Sequence, residues 1–313
     1  MDLLIAGSLA YDTIESESGR ADEVLGGSAV YAGISARFHL DSARIGLLGV
    51  VGQDFRREDW DMLDSLPLDM SGVSRLPGET FRWHGRYQSE GDDAITISTD
   101  LNVLVDFIAD VGEKFLQTEI FLCANLHPGL QEDLFLQIDS KLLIVDTMNK
   151  WIDEEREQLC RVLSASNITV LNSTELEMLT GFSRVEEGAK SLLAGDCLSQ
   201  KDIAAEMAES AATGPDIVVV KLAARGAVAF GPWGVIHCSG READVVIDPT
   251  GCGDVFAGAM AAHLLSEGIA GLPELEQMRV ALEHANRTAS FNVESFGTTS
   301  IAELSDDAYQ QRP

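Results

Sequence analysis

The chain has 313 residues and carries 51 Asp and Glu against 22 Lys and Arg, only six of them Lys, for a net charge of −29. A surface this acidic repels nucleic acid and anionic membrane, which argues against both as partners. No apolar run approaches ~20 residues, so no membrane span is expected, and the opening "MDLLIAGSLAYD" lacks the basic segment of a signal peptide.

The first strand is expected at "DLLIAGS". A glycine pair before Ser28 then feeds a helix in "LGGSAVYAGISARF", and "ARIGLLGVVGQDF" is an apolar strand stopped by a glycine turn. Residues 54–65 read as a helix. The texture then changes. "TFRWHGRYQ" (80–88) alternates strictly, with Phe81, Trp83, Gly85 and Tyr87 on one face and Arg82, His84, Arg86 and Gln88 on the other. "AITIST" (94–99) alternates as well, and Glu90-Gly91-Asp92-Asp93 reads as the hairpin turn between them. From about 118 onward a βα rhythm sets in, with apolar strands "IFLCAN", "LLIVDT", "ITVLN", "DIVVVKL" and "GAVAFG". Helices are expected at 129–138, 150–164 and 173–180, and two more at 254–268 and 273–292. Strands apolar throughout fit a parallel sheet covered on both faces. The expected fold is one α/β domain over 1–313, a doubly wound, mostly parallel sheet flanked by helices, with a small antiparallel β lid built from about 12–20 and 80–102.

In such folds ligands gather at the carboxyl ends of the strands. Those ends hold Asp12, Gly26-Gly27-Ser28, Asn125, Asp146, Asn172 with Glu175, Lys221 and the loop Asp248–Asp254. In "DPTGCGD" the glycines leave backbone N–H groups bare where a helix begins, and the helix dipole adds positive charge, a combination that binds phosphate. An acid beside such a cradle is placed to take a proton from an attacking hydroxyl, as phosphoryl transfer requires. The alternative is that Asp254 only caps the helix. No P-loop motif occurs, and Gly251-Cys252-Gly253 does not continue to a dinucleotide-binding G-x-G-x-x-G. The five cysteines and six histidines are dispersed without metal-ligand spacing, which points to a reducing compartment and singles out only His84, on the lid.

"DPTGCGDVFAGA" resembles the second signature of the ribokinase-like (PfkB) carbohydrate kinases, with Cys252 where Ala is usual. "GGSAVYAGISARF…GLLGVVGQDF", "GSLAYD", "NSTE", "VKLAARGA" and "FGTTS" are similar to further motifs of that family in the same order, so the resemblance spans nearly the whole chain. It implies a cytoplasmic enzyme using ATP and Mg²⁺. Asp254 would be the general base, and the amides of Gly251, Cys252 and Gly253 the anion hole. Lys221 and Gly226 would lie along the triphosphate, with Asn286 and Gly297 at the adenine. Asn172 and Glu175 would act on Mg²⁺ through water. Asp12, Gly26, Gly27, Ser28 and Asn125 would hold the acceptor, with Trp83 and Arg82 contributed by the lid. The resemblance also allows a K⁺ site at Asp248 and a homodimer joined through the lid.

Other readings stand beside these. Asn172 and Glu175 are also the pattern of a capping box. Asp12 is also an ordinary turn acid, and Trp83 and Tyr87 also suit lid or dimer packing. Cys252 is either a small filler or a thiol activated at a helix N-terminus. The acidity suits either an ordinary acidic protein or one adapted to salt, where screening removes self-repulsion. Only one lid face can point inward. Its aromatic face would favour a neutral sugar, polyol or nucleoside, and its basic face a sugar phosphate or sugar acid. A sugar or polyol acceptor ranks first, a nucleoside second and a sugar phosphate third. A binding protein of the same fold without turnover is the alternative of another class.

Overall fold

The structure, a computed structural model, describes residues 1–40, 44–88, 94–198 and 213–312. The expected hairpin turn Glu90–Asp93 lies outside the described residues. The strands, in chain order, are β1 (Leu3–Ala6), β2 (Ala10–Ser16), β3 (Gly19–Gly26), β4 (Ile45–Val51), β5 (Leu68–Arg75), β6 (Phe81–Arg86), β7 (Ile95–Asp100), β8 (Gln117–Cys123), β9 (Asp139–Asp146), β10 (Ile168–Asn172), β11 (Ile217–Lys221), β12 (Ala227–Gly231) and β13 (Gly234–Cys238).

Nine of them form the main sheet in the order β13-β12-β11-β10-β9-β8-β1-β4-β5, and four form a second sheet, β3-β2-β6-β7. The main sheet is parallel from β11 to β5, with an antiparallel edge at β12 and β13. Every residue of β1 and β4 is buried, as their unbroken apolar runs require when helices cover both faces. The chain leaves β1 towards β4 on one side, and β8 flanks it on the other. That reversal of direction opens a crevice at the carboxyl ends.

β5 was not anticipated, because "LDMSGVSR" is broken by Gly72 and polar at every second or third position, as an edge strand can afford to be. In the small sheet, β2–β3 and β6–β7 are antiparallel, and a parallel pairing of β2 with β6 joins the two hairpins. The residues 12–20 and 80–102 therefore meet in one sheet, although main-sheet strands separate them in sequence.

Two helices bring their N-termini to the crevice, Ser28–Ala36 and Cys252–Ser266. Residues 255–264 of the second are all buried, so it has no polar face and its sequence shows little amphipathic period. The two helices touch closely at Gly258, where a Cβ would stand 2.3 Å from the Ala32 carbonyl oxygen. This contact fixes one N-terminus against the other. Among the described residues, no helix is long and apolar enough to cross a membrane.

Candidate active site

A cleft of about 220 Å³ lies between the carboxyl ends of the main sheet and the inner face of the small one. Gly27, Ser28, Asn125, Gly251 and Asp254 line its floor, and Asp12 of β2 with Phe81, Trp83 and Tyr87 its roof. The alternation of β6 thus resolves with the aromatic face inward. Gly85 makes this possible, because the Trp83 indole lies across it where a side chain would collide.

The basic face points away, and Arg82 does not join the substrate contacts expected of it. Its guanidinium donates to Asp54 Oδ2 at 2.8 Å and Glu23 Oε1 at 2.9 Å. Arg86 and His84 are engaged in the same way by Glu15, at 2.6 and 3.0 Å. Acids of the chain itself occupy the charges that would have recognised a phosphorylated acceptor.

Asp254 is not the cap of its helix. Gly251 occupies that position, in the left-handed region at φ 74°, and Asp254 stands in the first turn with its carboxyl enclosed by protein but open to the cleft. Burial pushes that carboxyl up to about 7, and the neighbouring Asp146 adds to the shift against the pull of Lys221. Lys221, at the end of β11, donates to both oxygens of the buried Asp146 at 3.0 and 2.9 Å. Burial alone would lower the Lys221 ammonium, but the carboxylates of Asp146, Glu175 and Asp254 outweigh it and raise it. The ammonium faces the glycine loop, since a Cβ on Gly253 would lie 2.8 Å from Nζ. The loop amides, the helix N-terminus and this ammonium enclose a space suited to an anion. Of the three loop amides, that of Cys252 already donates to the Pro249 carbonyl at 3.2 Å.

Asp12 is buried, and burial first, then the charges of Asp248 and Asp254, raises its carboxyl well above the usual range. Gly26 leaves room for it, because a Cβ there would overlap the carboxylate. The Ser28 hydroxyl links the Ser8 amide to the Asn125 carbonyl, and the Asn125 side chain is held by Trp151 Nε1 at 2.8 Å and Met148 Sδ at 2.9 Å. Asn172 and Glu175 do form a reciprocal capping box, each side chain accepting from the other's amide at 2.8 Å. It sits at the carboxyl end of β10, in register with Lys221. Gly226 follows the end of β11, and Asn286 donates to Cys238 and Ser239 beside it. Asp248 is fully buried and accepts from the amides of Thr250 at 2.8 Å and Gly297 at 3.0 Å. Among the described residues, no Lys or Arg pairs with it.

Of the two readings of Cys252, the small filler is the one that fits, and the reading of the histidines is corrected. The Cys252 thiol is not activated. Burial pushes it up to about 12, and it accepts from Asn292 Nδ2, so it fills space as an alanine would. The histidines are not all dispersed, since the fold gathers three of them far from the lid.

The sequence reading missed Tyr31. Its ring lies against Gly251 and its buried hydroxyl has no hydrogen-bond partner. The signal was its place, three residues after Ser28 on the cleft-facing side of a helix that starts at the site. Such a hydroxyl is an idle donor in the free protein. Tyr31→Phe is therefore expected to raise the melting temperature slightly while raising the acceptor KM about 2–10-fold, with kcat within twofold. An unchanged KM with a lowered melting temperature would make the hydroxyl structural.

A glycine-loop anion site beside a buried acid, at the switch point of a doubly wound sheet and under a small β roof, defines a phosphotransferase of ribokinase-like fold. The chain matches the pfkB family carbohydrate kinases over residues 9–304 and belongs to that family. It is a phosphotransferase with an alcohol group as acceptor, and kinases of this family use ATP with Mg²⁺. A cytidine kinase from Thermococcus kodakarensis is 28% identical over 294 residues, which cover 91% of this chain and 95% of that one. Two solved structures share the fold. A Burkholderia thailandensis nucleoside kinase in complex with inosine has TM-score 0.71, 16% identity, and coverage of 99% of this chain and 100% of that one. A Vibrio cholerae fructokinase double mutant bound to fructose, ADP and potassium ion has TM-score 0.74, 17% identity, and coverage of 100% and 99%.

Proposed function

We propose that the protein is an ATP-dependent nucleoside kinase. The observation that carries this is the orientation of β6, which turns Phe81, Trp83 and Tyr87 into the cleft and Arg82 and Arg86 away from it. Flat aromatic walls suit a nucleobase, and Asp12 beside them suits the ribose hydroxyls. A small polyol would leave most of the aromatic surface uncovered, and a sugar phosphate would meet an acidic floor. The likeness to a cytidine kinase over nine-tenths of the chain supports the same reading.

In this reading the acceptor's primary hydroxyl oxygen attacks the γ-phosphorus of ATP, its proton passes to the Asp254 carboxylate, and ADP leaves. A base in the range of about 7 is matched to that task near neutral pH. The amides of Gly251 and Gly253, the helix N-terminus and Lys221 take up charge on the transferred group. Glu175 and Asn172 would hold Mg²⁺ through its water shell; their hard oxygen atoms suit that ion, which when bound neutralises phosphate charge. The buried, unpaired carboxylate of Asp248 would be balanced by K⁺. The small sheet would close over the acceptor and exclude water. The exposed Ile95 and Ile97 on its free edge strand β7 offer the surface for the expected homodimer.

The test is a phosphoryl-transfer panel of nucleosides, free sugars and sugar phosphates with Mg·ATP. Nucleosides should exceed sugars at least 10²-fold in kcat/KM. Trp83→Ala should lower nucleoside kcat/KM about 10–100-fold, as the loss of one base–aromatic stack would, while residual activity on free ribose changes little. Preference for a sugar or sugar phosphate would overturn the proposal.

A further inference from the structure

Among the described residues, one group of three metal-ligating side chains comes together, His39, His263 and His284, with one ring nitrogen of each within 4.8 Å of the others. They come from three segments: the turn Arg37–His39, the helix Cys252–Ser266 and the helix Leu275–Asn292. The rings of His263 and His284 stack with centroids 4.1 Å apart, and His39 meets both edge-on at 5.9 and 5.3 Å. Three imidazoles packed together are an unusual way to fill an interface between helices, since each carries polar nitrogens that need partners.

Two of the three rings have one nitrogen hydrogen-bonded to a neighbouring hydroxyl, which leaves their other nitrogen for an ion. The Thr288 hydroxyl donates its single proton to the His284 carbonyl at 2.9 Å. Where it accepts from His39 Nε2, 3.2 Å away, Nε2 carries the proton and Nδ1 holds a bare lone pair. His284 Nδ1 lies 2.9 Å from Tyr309 Oη. If Nδ1–H donates there, Nε2 is free. A metal-bound histidine commonly shows this arrangement, one nitrogen held by an outer hydroxyl or carbonyl and the other on the ion. Burial pushes all three rings below the ordinary histidine range. Arg287 disfavours positive charge at His39 and His284, and Glu267 favours it at His263.

We propose that His39, His263 and His284 form a binding site for a divalent transition-metal ion of the Zn²⁺ class. Nitrogen-only donors select Zn²⁺, Co²⁺, Ni²⁺ or Cu²⁺ over Mg²⁺ and Ca²⁺. A tetrahedral ion with bonds of about 2.0–2.1 Å needs ligand atoms roughly 3.3 Å apart, so binding requires the stacked rings of His263 and His284 to turn out of parallel until the lone pairs of all three rings meet on the ion. Water takes the fourth position. The ion would join the turn after the first helix to the helices bearing His263 and His284 and, through Tyr309, to the final helix Asp306–Gln311. His263 lies nine residues beyond Asp254, about 13 Å along the helix, so the ion takes no part in phosphoryl transfer. Its role is to hold the helix that carries Asp254.

The test uses the full chain in saturating Mg²⁺·ADP, which keeps other divalent ions from the nucleotide site. Co²⁺ should bind one per chain with the intense visible bands of four-coordinate geometry, and Zn²⁺ should displace it. Saturating Zn²⁺ should raise the melting temperature by about 5 °C or more. His39→Asn and His263→Asn should each weaken Co²⁺ binding at least 100-fold while retaining kinase activity. Should either variant fail to fold, X-ray absorption at the Zn edge of the unaltered protein decides, with three imidazole nitrogens expected. Absence of four-coordinate Co²⁺, variants that bind as tightly as the parent, or fewer than three imidazoles at the Zn edge would each overturn the site.

Discussion

Asp254→Asn is expected to lower kcat by about 10²–10⁴-fold, the usual consequence of removing a general base, and at the same time to raise the melting temperature at pH 8. The two effects have one cause. The Asp254 carboxyl has an ordinary value of 3.8 and is pushed up to about 7 in the folded chain, by burial first and by Asp146 second. The folded chain therefore keeps this proton through a range in which the unfolded chain has lost it. The contribution of this group to stability is complete below 3.8 and is lost as pH rises through about 7. Asn carries no charge to bury, so the variant should gain on the parent between pH 5 and 8 and match it near pH 3. The parent's kcat/KM should rise with pH through a limb near 7, and that limb should be missing from the variant's residual rate. Activity within tenfold of the parent would place the base elsewhere. A melting temperature lowered equally at every pH would show that Asp254 is only structural.

Gly251→Ala should be nearly as severe. The residue sits at φ 74°, and a Cβ would stand 2.5 Å from the ring of the buried Tyr31. The left-handed conformation costs an alanine about 1–2 kcal/mol by itself. The collision must also move either the loop or the ring, and so displaces the amides that would face the phosphoryl group. Loss of one such donor costs about 10²–10³-fold in kcat. Gly268→Ala provides the control. It has nearly the same φ, 73°, but a Cβ there would meet nothing within 4 Å. It should lower the melting temperature by a few degrees through backbone strain and leave kcat unchanged. If both variants lose activity alike, global destabilisation is the cause. If Gly251→Ala keeps its kcat, the loop is not the anion site.

Much of the site was readable because its chemistry is local. Phosphate binding by bare amides needs glycines directly before a helix, so Gly251, Gly253 and Asp254 stand together in the chain, as Asn172 and Glu175 do for their shared helical turn. The parallel strands were readable for a related reason, since burial on both faces imposes unbroken apolar runs such as those of β1 and β4. Strand β5 escaped because an edge strand needs no such run. Tyr31 escaped because one aromatic on a helix buried on every side is marked by no pattern.

The alternation of β6 shows where reading the chain stops. Period two established that Phe81, Trp83 and Tyr87 share a face, but either face could have turned to the cleft. The choice was made by partners distant in sequence, with Asp54, Glu23 and Glu15 drawing the basic side outward. The histidine group is the same case in stronger form, as His39 and His284 stand 245 positions apart, 284 minus 39, and meet only because their segments pack together. The sequence by itself determined most of the buried parallel strands, the glycine loop and the acid beside it, because backbone conformation and short-range periodicity are written in neighbouring residues. Only the tertiary structure decided which lid face lines the cleft, which thiol is buried and which imidazoles converge, because contacts across the fold depend on the packing of whole elements.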